Sequence, residues 1–182
     1  MTPLETLEKK LIEAKFLAVT ELNNGSVIPD SPGLYCIKIR KGVALPKELG
    51  IIRDDGIIYI GKASLSLRER LWEEELNHRR AATFFRSVGA ILGYLPPKGS
   101  LVNKKNKKNY RFSEKDTQEI IRWMEDSLLV NFVEATPYHV EEIEKVLIKK
   151  YRPLINIVHN PTPSSALKAA RKRCVDRANE EP

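Results

Sequence analysis

Two short apolar segments, Leu34 to Arg40 and Ile57 to Gly61, constrain the fold of this chain more than any other feature. Each alternates with the two-residue period of a β-strand, and each carries a glycine and a tyrosine two positions apart: Gly33 with Tyr35, and Tyr59 with Gly61. The alternation places Tyr35, Ile37 and Ile39 on one face of the first strand and Leu34, Cys36 and Lys38 on the other. In the second strand, Ile57, Tyr59 and Gly61 share a face. The connection from Lys41 to Gly56 closes on Asp54-Asp55-Gly56, a turn signal, so the pair reads as a hairpin with an insertion at its tip. Glycine inside a strand marks a bend or a close approach, so Gly33 and Gly61 are predicted to serve backbone geometry.

Helices are predicted around this hairpin. Leu4, Leu7, Leu11 and Ile12 recur at helical spacing, before an extended stretch from Phe16 to Leu22. Ser66 and Glu69 form a capping-box pattern that opens a helix running to about Asn77. Ala81 to Tyr94 reads as a second helix, closed near Gly93 and followed by Pro96-Pro97. Ser113 with Asp116 opens a third, through Ile120, Ile121, Trp123 and Met124. Leu128 to Ala135 is rich in β-formers and gives a third strand, after which Thr136-Pro137 supplies an N-cap and a first-turn proline for a helix to Tyr151. A polar helix from Ser164 to Asn179 follows. The expected fold class is α+β, a small three-stranded antiparallel sheet flanked by helices, with an N-terminal helix, inserted helices and a C-terminal helix. The corresponding organisation is an N-terminal extension over 1–30, a core domain over 31–160 with a helical and basic insertion at about 80–126, and a basic C-terminal helix over 161–182.

At 182 residues the chain can bury a core without staples. Cys36 falls in a strand and Cys174 in a charged helix, which suggests neither a disulfide nor a zinc site. The first ten residues lack the apolar core of a signal peptide and no apolar run is long enough to span a bilayer, so a cytoplasmic protein with no membrane partner is expected. The formal net charge is +7 and the pI about 9.4, which favours polyanionic partners. From Lys98 to Arg111 every charged residue is basic: Lys98, Lys104, Lys105, Lys107, Lys108 and Arg111. Taken alone, such a run is a solvated loop.

One acidic residue stands out on physical grounds. At roughly 100° per residue, Val140, Ile143, Leu147, Ile148 and Tyr151 form one apolar arc, and Glu144 projects within it. A carboxylate on a buried stripe is costly unless paired, hydrogen-bonded or metal-bound, which leaves an ion pair with an arginine and a metal ligand as the two readings.

Gly33-Leu34-Tyr35, Tyr59-Ile60-Gly61, Lys62, Arg70 and the run from Glu144 through Leu147, Ile148 and Pro153 to Asn156 together resemble the signature of the GIY-YIG nucleases. The resemblance spans Gly33 to Asn156, with Leu34 where the family name has Ile. It implies an α+β nuclease that uses a divalent metal to hydrolyse phosphodiester bonds in DNA. Glu144 matches the family's single metal-binding Glu, which would take Mg²⁺ or Mn²⁺ with several retained waters. Arg70, preferred to Arg68 because it follows Leu67 by three and precedes Leu71, would neutralise charge on the scissile phosphate. Tyr35 and Tyr59 would both stand in the site, with one as general base and Tyr59 favoured. A phenol ordinarily titrates near pH ~10, so Lys62, Arg70 and the cation would have to favour its phenolate. Lys62 would assist in that or touch the phosphate, and Asn156 would position Glu144 or a backbone segment. Many members carry His or Tyr four residues beyond the Arg, where this chain has Glu74. His78, one turn on in an i, i+4, i+8 row with Arg70 and Glu74, is the candidate to take over a phosphate contact or proton relay.

Beside that signature, the lysine run becomes a phosphate-contacting element. Arg86 facing outward, Lys104, Lys105, Lys107, Lys108 and Arg111, together with Lys168, Arg171, Lys172, Arg173 and Arg177 of the C-terminal helix, would position double-stranded DNA without reading its sequence. The lack of a cysteine-rich zinc module and of a long segment after Asn156 favours a restriction or defence nuclease over resolvases, homing nucleases and excision-repair proteins. A homodimer would let such a small enzyme cut both strands. The alternative is a non-catalytic nucleic-acid-binding module on the same fold, against which the intact set Tyr35, Tyr59, Lys62, Arg70, Glu144 and Asn156 argues.

Overall fold

The computed structural model describes residues 2–80 and 82–181. Its strands are β1 (Leu17–Ala18), β2 (Gly33–Ile39), β3 (Ile57–Ala63) and β4 (Leu128–Glu134), joined in one antiparallel sheet in the order β1-β4-β2-β3. The α-helices are α1 (Pro3–Ile12), α2 (Thr83–Ile91), α3 (Glu114–Ser127), α4 (Pro137–Tyr151) and α5 (Ser165–Asn179). A wide helix of π type spans Arg68–Leu76. The class is α+β as expected, with one strand more than the three predicted. The addition is β1, whose Leu17 and Ala18 pair with Val130 and Leu129 and cover an edge of β4 that would otherwise lie open. The extended stretch stops there because Val19–Gly25 coils into 3₁₀ turns.

β2 lies inside the sheet between β3 and β4, which is why Gly33 through Ile37 are all buried. Ile37 pairs with Tyr59 but Lys38 pairs with Ile57, so Ile58 is an extra residue on β3. This bulge overturns the expected sharing of one face by Ile57, Tyr59 and Gly61. Ile57 packs with Leu34, Cys36 and Ile60, while Ile58 and Tyr59 pack with Tyr35 and Ile37 on the opposite face.

Helices cover both faces. On one, Leu11 and Ile12 of α1 and Val140, Ile143, Leu147 and Ile148 of α4 bury Leu34, Cys36, Ile57 and Ile60. On the other, Phe84, Phe85 and Val88 of α2, Ile120 and Met124 of α3 and Leu71 of the wide helix enclose Tyr35, Ile37 and Tyr59. The C-terminal helix is no loose polar tail: α5 buries Leu167, Ala170, Cys174 and Ala178 and packs on α2. Both cysteines are buried and unbridged. Among the described residues no helix is long and apolar enough to cross a membrane.

Local chemistry sets most helix ends. The Ser66 hydroxyl accepts from the Glu69 amide at 3.0 Å, the Ser113 hydroxyl from Asp116 at 3.1 Å and the Ser164 hydroxyl from Leu167 at 3.3 Å. Thr136 precedes α4 with extended backbone but forms no side-chain cap. α4 ends on Arg152, at φ +47, with Pro153 beyond it. The predicted second helix is the shorter α2; its expected start, Ala81, lies outside the described residues.

The wide helix closes with the Asn77 amide donating to the Trp72 carbonyl at 3.1 Å, an i to i+5 bond. His78 follows at φ +52, and this left-handed turn carries its ring into the core, fully buried and stacked on Phe85 at 4.2 Å. The i, i+4, i+8 row therefore stops at Glu74, and His78 is not the surface phosphate contact expected of it. Among the described residues neither ring nitrogen has a hydrogen-bond partner.

Burial, reinforced by Arg111 and Arg86, lowers the His78 pKa from 6.5 to about 4. Its contribution to stability is complete above the unfolded value and is lost as pH falls toward the folded one, because only the unfolded chain takes up the proton. Between these limits the loss approaches about 3 kcal/mol. Denaturant unfolding at a series of pH values should show this slope in the wild type, and the difference from His78→Phe should isolate it.

Candidate active site

Tyr35, Tyr59, Lys62, Arg70 and Glu144 come from β2, β3, the wide helix and α4, and all line one cleft of about 430 Å³. Ser64, Ser66, Glu69, Glu74 and Arg80 are among the other residues that line it.

The strand pairing explains the tyrosines. Tyr35 and Tyr59 project on the same face with ring centroids 6.1 Å apart, and Tyr35 lies directly across from Gly61 in the register. A Cβ at Gly61 would stand 2.5 Å from the Tyr35 hydroxyl oxygen, so only glycine lets the phenol cross β3 to reach the cleft. At Gly33 a Cβ would collide with the Val133 carbonyl and come within 2.6 Å of Leu67. Asn156 is buried, and its side chain mimics a neighbouring strand: its Oδ1 accepts from the Ile60 amide and its Nδ2 donates to the Ile60 carbonyl, both at 2.9 Å. Of the two roles the sequence left open for it, the contact found is with backbone, and it fixes β3 between Tyr59 and Gly61.

Lys62 and Glu144 meet on the opposite face of β3. The Lys62 ammonium lies 3.2 Å from Glu141 and 3.7 Å from Glu144. The Glu144 side chain is only 14% exposed. Its pKa is raised, chiefly by burial, with Lys62 and Arg70 pulling the other way and Glu141 adding to the rise. Among the described residues Lys62 is its ion-pair partner, not an arginine. Among those residues, too, no group of three or more His, Cys, Asp or Glu side chains is placed to hold a metal. A cation at Glu144 would meet a carboxylate oxygen, the hard donor type that Mg²⁺ takes together with retained water.

Arg70 faces the cleft, whereas Arg68 turns away and donates from Nε to the Ile28 carbonyl at 3.1 Å. Arg70 binds Glu74 at 2.6 Å and Glu75 at 2.7 Å. Burial works against its charge, but Glu75, Tyr35 and Glu74 together raise its pKa above the ordinary value. Glu75 is the residue that sequence reasoning missed. It has no solvent exposure; Oε1 accepts from the Tyr35 hydroxyl at 3.3 Å and Oε2 from the Phe84 amide at 2.8 Å. It therefore supplies the anionic cap for α2, whose own N-cap, Ala82, has no side-chain acceptor. The signal existed: Leu67, Leu71 and Glu75 share an i, i+4 stripe, the same kind of acidic intrusion that marks Glu144.

Burial pushes both phenols well above the usual tyrosine value, and Glu75 adds to that rise while Arg70 opposes it. For both hydroxyls desolvation outweighs the pull of Arg70.

The predicted DNA-contacting residues divide. Arg86 is buried, with Nη1 donating to the Lys108 carbonyl at 2.9 Å and to Asn109 Oδ1 at 2.7 Å, so it faces inward, where sequence reading turned it outward. Lys107 folds back on the Leu101 and Val102 carbonyls. Lys104, Lys105, Lys108 and Arg111 lie on the exposed surface. Arg111 anchors this loop to the end of the wide helix, donating to the His78 carbonyl at 2.6 Å and the Arg79 carbonyl at 3.2 Å, next to Arg80 of the cleft rim.

A family model described as the GIY-YIG catalytic domain matches residues 33–173. No curated protein and no solved structure matches the chain.

Two substitutions test the scaffold of the cleft. Gly61→Ala should destabilise the fold by about 1–3 kcal/mol through overpacking against Tyr35. Asn156→Asp removes the donor to the Ile60 carbonyl and buries a charge, for a loss of about 1–3 kcal/mol or more. Both are read by denaturant unfolding at neutral pH.

Proposed function

The chain belongs to the GIY-YIG nuclease family, and from that premise we propose that it is an endonuclease that cleaves double-stranded DNA with a divalent cation, in a restriction or defence role. The observation that carries this reading is the convergence on one cleft of Tyr35, Tyr59, Lys62, Arg70 and Glu144 from four separate elements.

Phosphodiester hydrolysis needs an attacking water, positive charge around the phosphorus centre and a stabilised leaving oxygen. A cation held by Glu144 would supply Lewis-acid stabilisation of charge on the phosphate. Lys62, between Glu141 and Glu144, stands ready to meet a non-bridging oxygen. Arg70 keeps its buried partner Glu75 and would exchange Glu74 for phosphate, since Glu74 faces the same cleft. The slight exposure of Tyr59, 7% where Tyr35 has none, supports it as the hydroxyl that would meet the water. Outside the cleft, Lys104, Lys105, Lys108 and Arg111 would hold the duplex by its phosphates.

Supercoiled plasmid incubated with Mg²⁺ or Mn²⁺ should be nicked or linearised by the wild type and spared in EDTA. Glu144→Ala should lose about 100-fold or more of that rate while its gel shift with duplex DNA persists. A wild type that binds DNA and cuts nothing with either metal would leave the non-catalytic binding module as the correct reading.

A further inference from the structure

The basic loop between α2 and α3 walls a second cavity, of about 510 Å³, which shares no lining residue with the cleft. Leu101 and Phe112, each only 6% exposed, form its apolar floor, and the exposed Lys104, Lys105 and Arg111 stand around it. Among the described residues none of its walls is acidic, and none of these three cations is paired with a carboxylate. The cleft cations Lys62, Arg70 and Arg80 are all paired. The walls of the second cavity are pinned from three directions. The Leu101 amide donates to the Ala178 carbonyl of α5 at 2.7 Å, and Asn179 Nδ2 to the Lys107 carbonyl at 2.9 Å. Arg86 reaches Asn109 Oδ1 from the core, and Arg111 holds the His78 and Arg79 carbonyls. The opening is therefore formed before any ligand arrives.

The polar groups left over for a ligand are of one kind. Asn106 Oδ1 accepts from the Lys108 and Asn109 amides at 2.9 and 3.2 Å, and Asn109 Oδ1 accepts from Arg86 at 2.7 Å. Both side chains thus spend their acceptors on the chain itself and keep Nδ2 as a donor at the cavity wall. An apolar floor under a rim of donors and positive charge is complementary to a nucleotide, whose base has apolar faces and acceptor edges and whose phosphates are anions. A bare phosphate would gain nothing from Leu101 and Phe112. A base inside the duplex cannot reach them, because its faces are covered by its neighbours in the stack.

We propose that this cavity receives one unpaired nucleotide of the DNA substrate, its base on Leu101 and Phe112 and its flanking phosphates at Lys104, Lys105 and Arg111, a role that rests on the nuclease reading above. Arg111 joins the cavity to the cleft: the carbonyls it holds belong to His78 and Arg79, and the next residue, Arg80, lines the cleft. One DNA molecule can thus engage both. Taking a base out of the stack costs free energy, and costs least where the base is already unpaired. The favoured substrates are therefore duplexes with a bulged, mismatched or single-stranded nucleotide, and the lysine loop reads a local loss of pairing as well as holding phosphates.

The test is a gel shift of the full chain in EDTA on two probes, an unbroken duplex and the same duplex with one unpaired adenine at its centre. The wild type should bind the bulged probe about 10-fold more tightly. Pro97 and Ser100 are exposed positions at the edge of the cavity. Ser100→Trp and Pro97→Trp should each set an indole across the opening and bring the ratio of the two affinities to about one. With two plugs the test survives the failure of either variant to fold. Equal binding of the two probes by the wild type, or a preference that persists in a folded plug variant, would overturn the assignment. Plasmid cleavage with Mg²⁺ is read separately. A wild type that cuts plasmid and shows no preference loses this site but keeps the nuclease reading, whereas one that shifts neither probe and cuts nothing loses both.

Discussion

A carboxylate without solvent exposure, 2.7 Å from a guanidinium and 2.8 Å from a helix amide, joins the wide helix to α2 in this protein. Removing one partner from such a buried pair typically costs about 3–5 kcal/mol, because the charge left behind has no water to turn to. The position of Arg70 therefore depends on Glu75, and so does that of Tyr35, whose hydroxyl shares the same oxygen. The wide helical turn makes this possible. Its geometry places a residue five positions on beside Arg70, so that Glu74 and Glu75 both reach one guanidinium, the first from the cleft and the second from the core.

The sequence displays the parts of the site that obey simple periodicity and hides those that depart from it. Glu144 is visible because α4 is a regular α-helix and its apolar arc is plain. Tyr35 is visible because β2 alternates without interruption along its first five residues. On β3 the alternation breaks at Ile58, and nothing in an unbroken apolar run of Ile57-Ile58-Tyr59-Ile60 marks which residue bulges. Reading Arg68 to Leu76 with an α period carries the row on to His78, while the π turn and a left-handed residue send that ring into the core. Arg86 could not be placed from sequence for a related reason: its partners, Lys108 and Asn109, belong to a loop more than twenty residues away. Two-residue β1 is too short for any periodic signal.

Charge in the cleft is balanced by the chain itself. Lys62 faces Glu141 and Glu144, Arg70 faces Glu74 and Glu75, and Arg80 faces Glu69 at 2.6 Å and Glu74 at 3.7 Å. The cations of the site thus face at least as many carboxylates, and the excess positive charge of the chain lies outside it, on the lysine loop and α5. The Arg80 side chain is 71% exposed, so its pairs are weak and easily exchanged, whereas the Arg70–Glu75 pair is not. A polyanion would be gathered by the loop first and meet the cleft cations only as it displaces Glu69 and Glu74.

The segment after α4 has an effect beyond fixing the cleft. The Ile155 amide donates to the Ile58 carbonyl at 2.8 Å, and Asn156 occupies both backbone groups of Ile60, so the outward rim of β3 is taken up by the protein's own chain there. At the far rim β1 does the same for β4. An open row of amides and carbonyls is what recruits foreign strands into aggregates and sheet-extended assemblies. With these positions occupied, growth of the sheet from molecule to molecule is disfavoured by the same asparagine that holds the tyrosine strand in place.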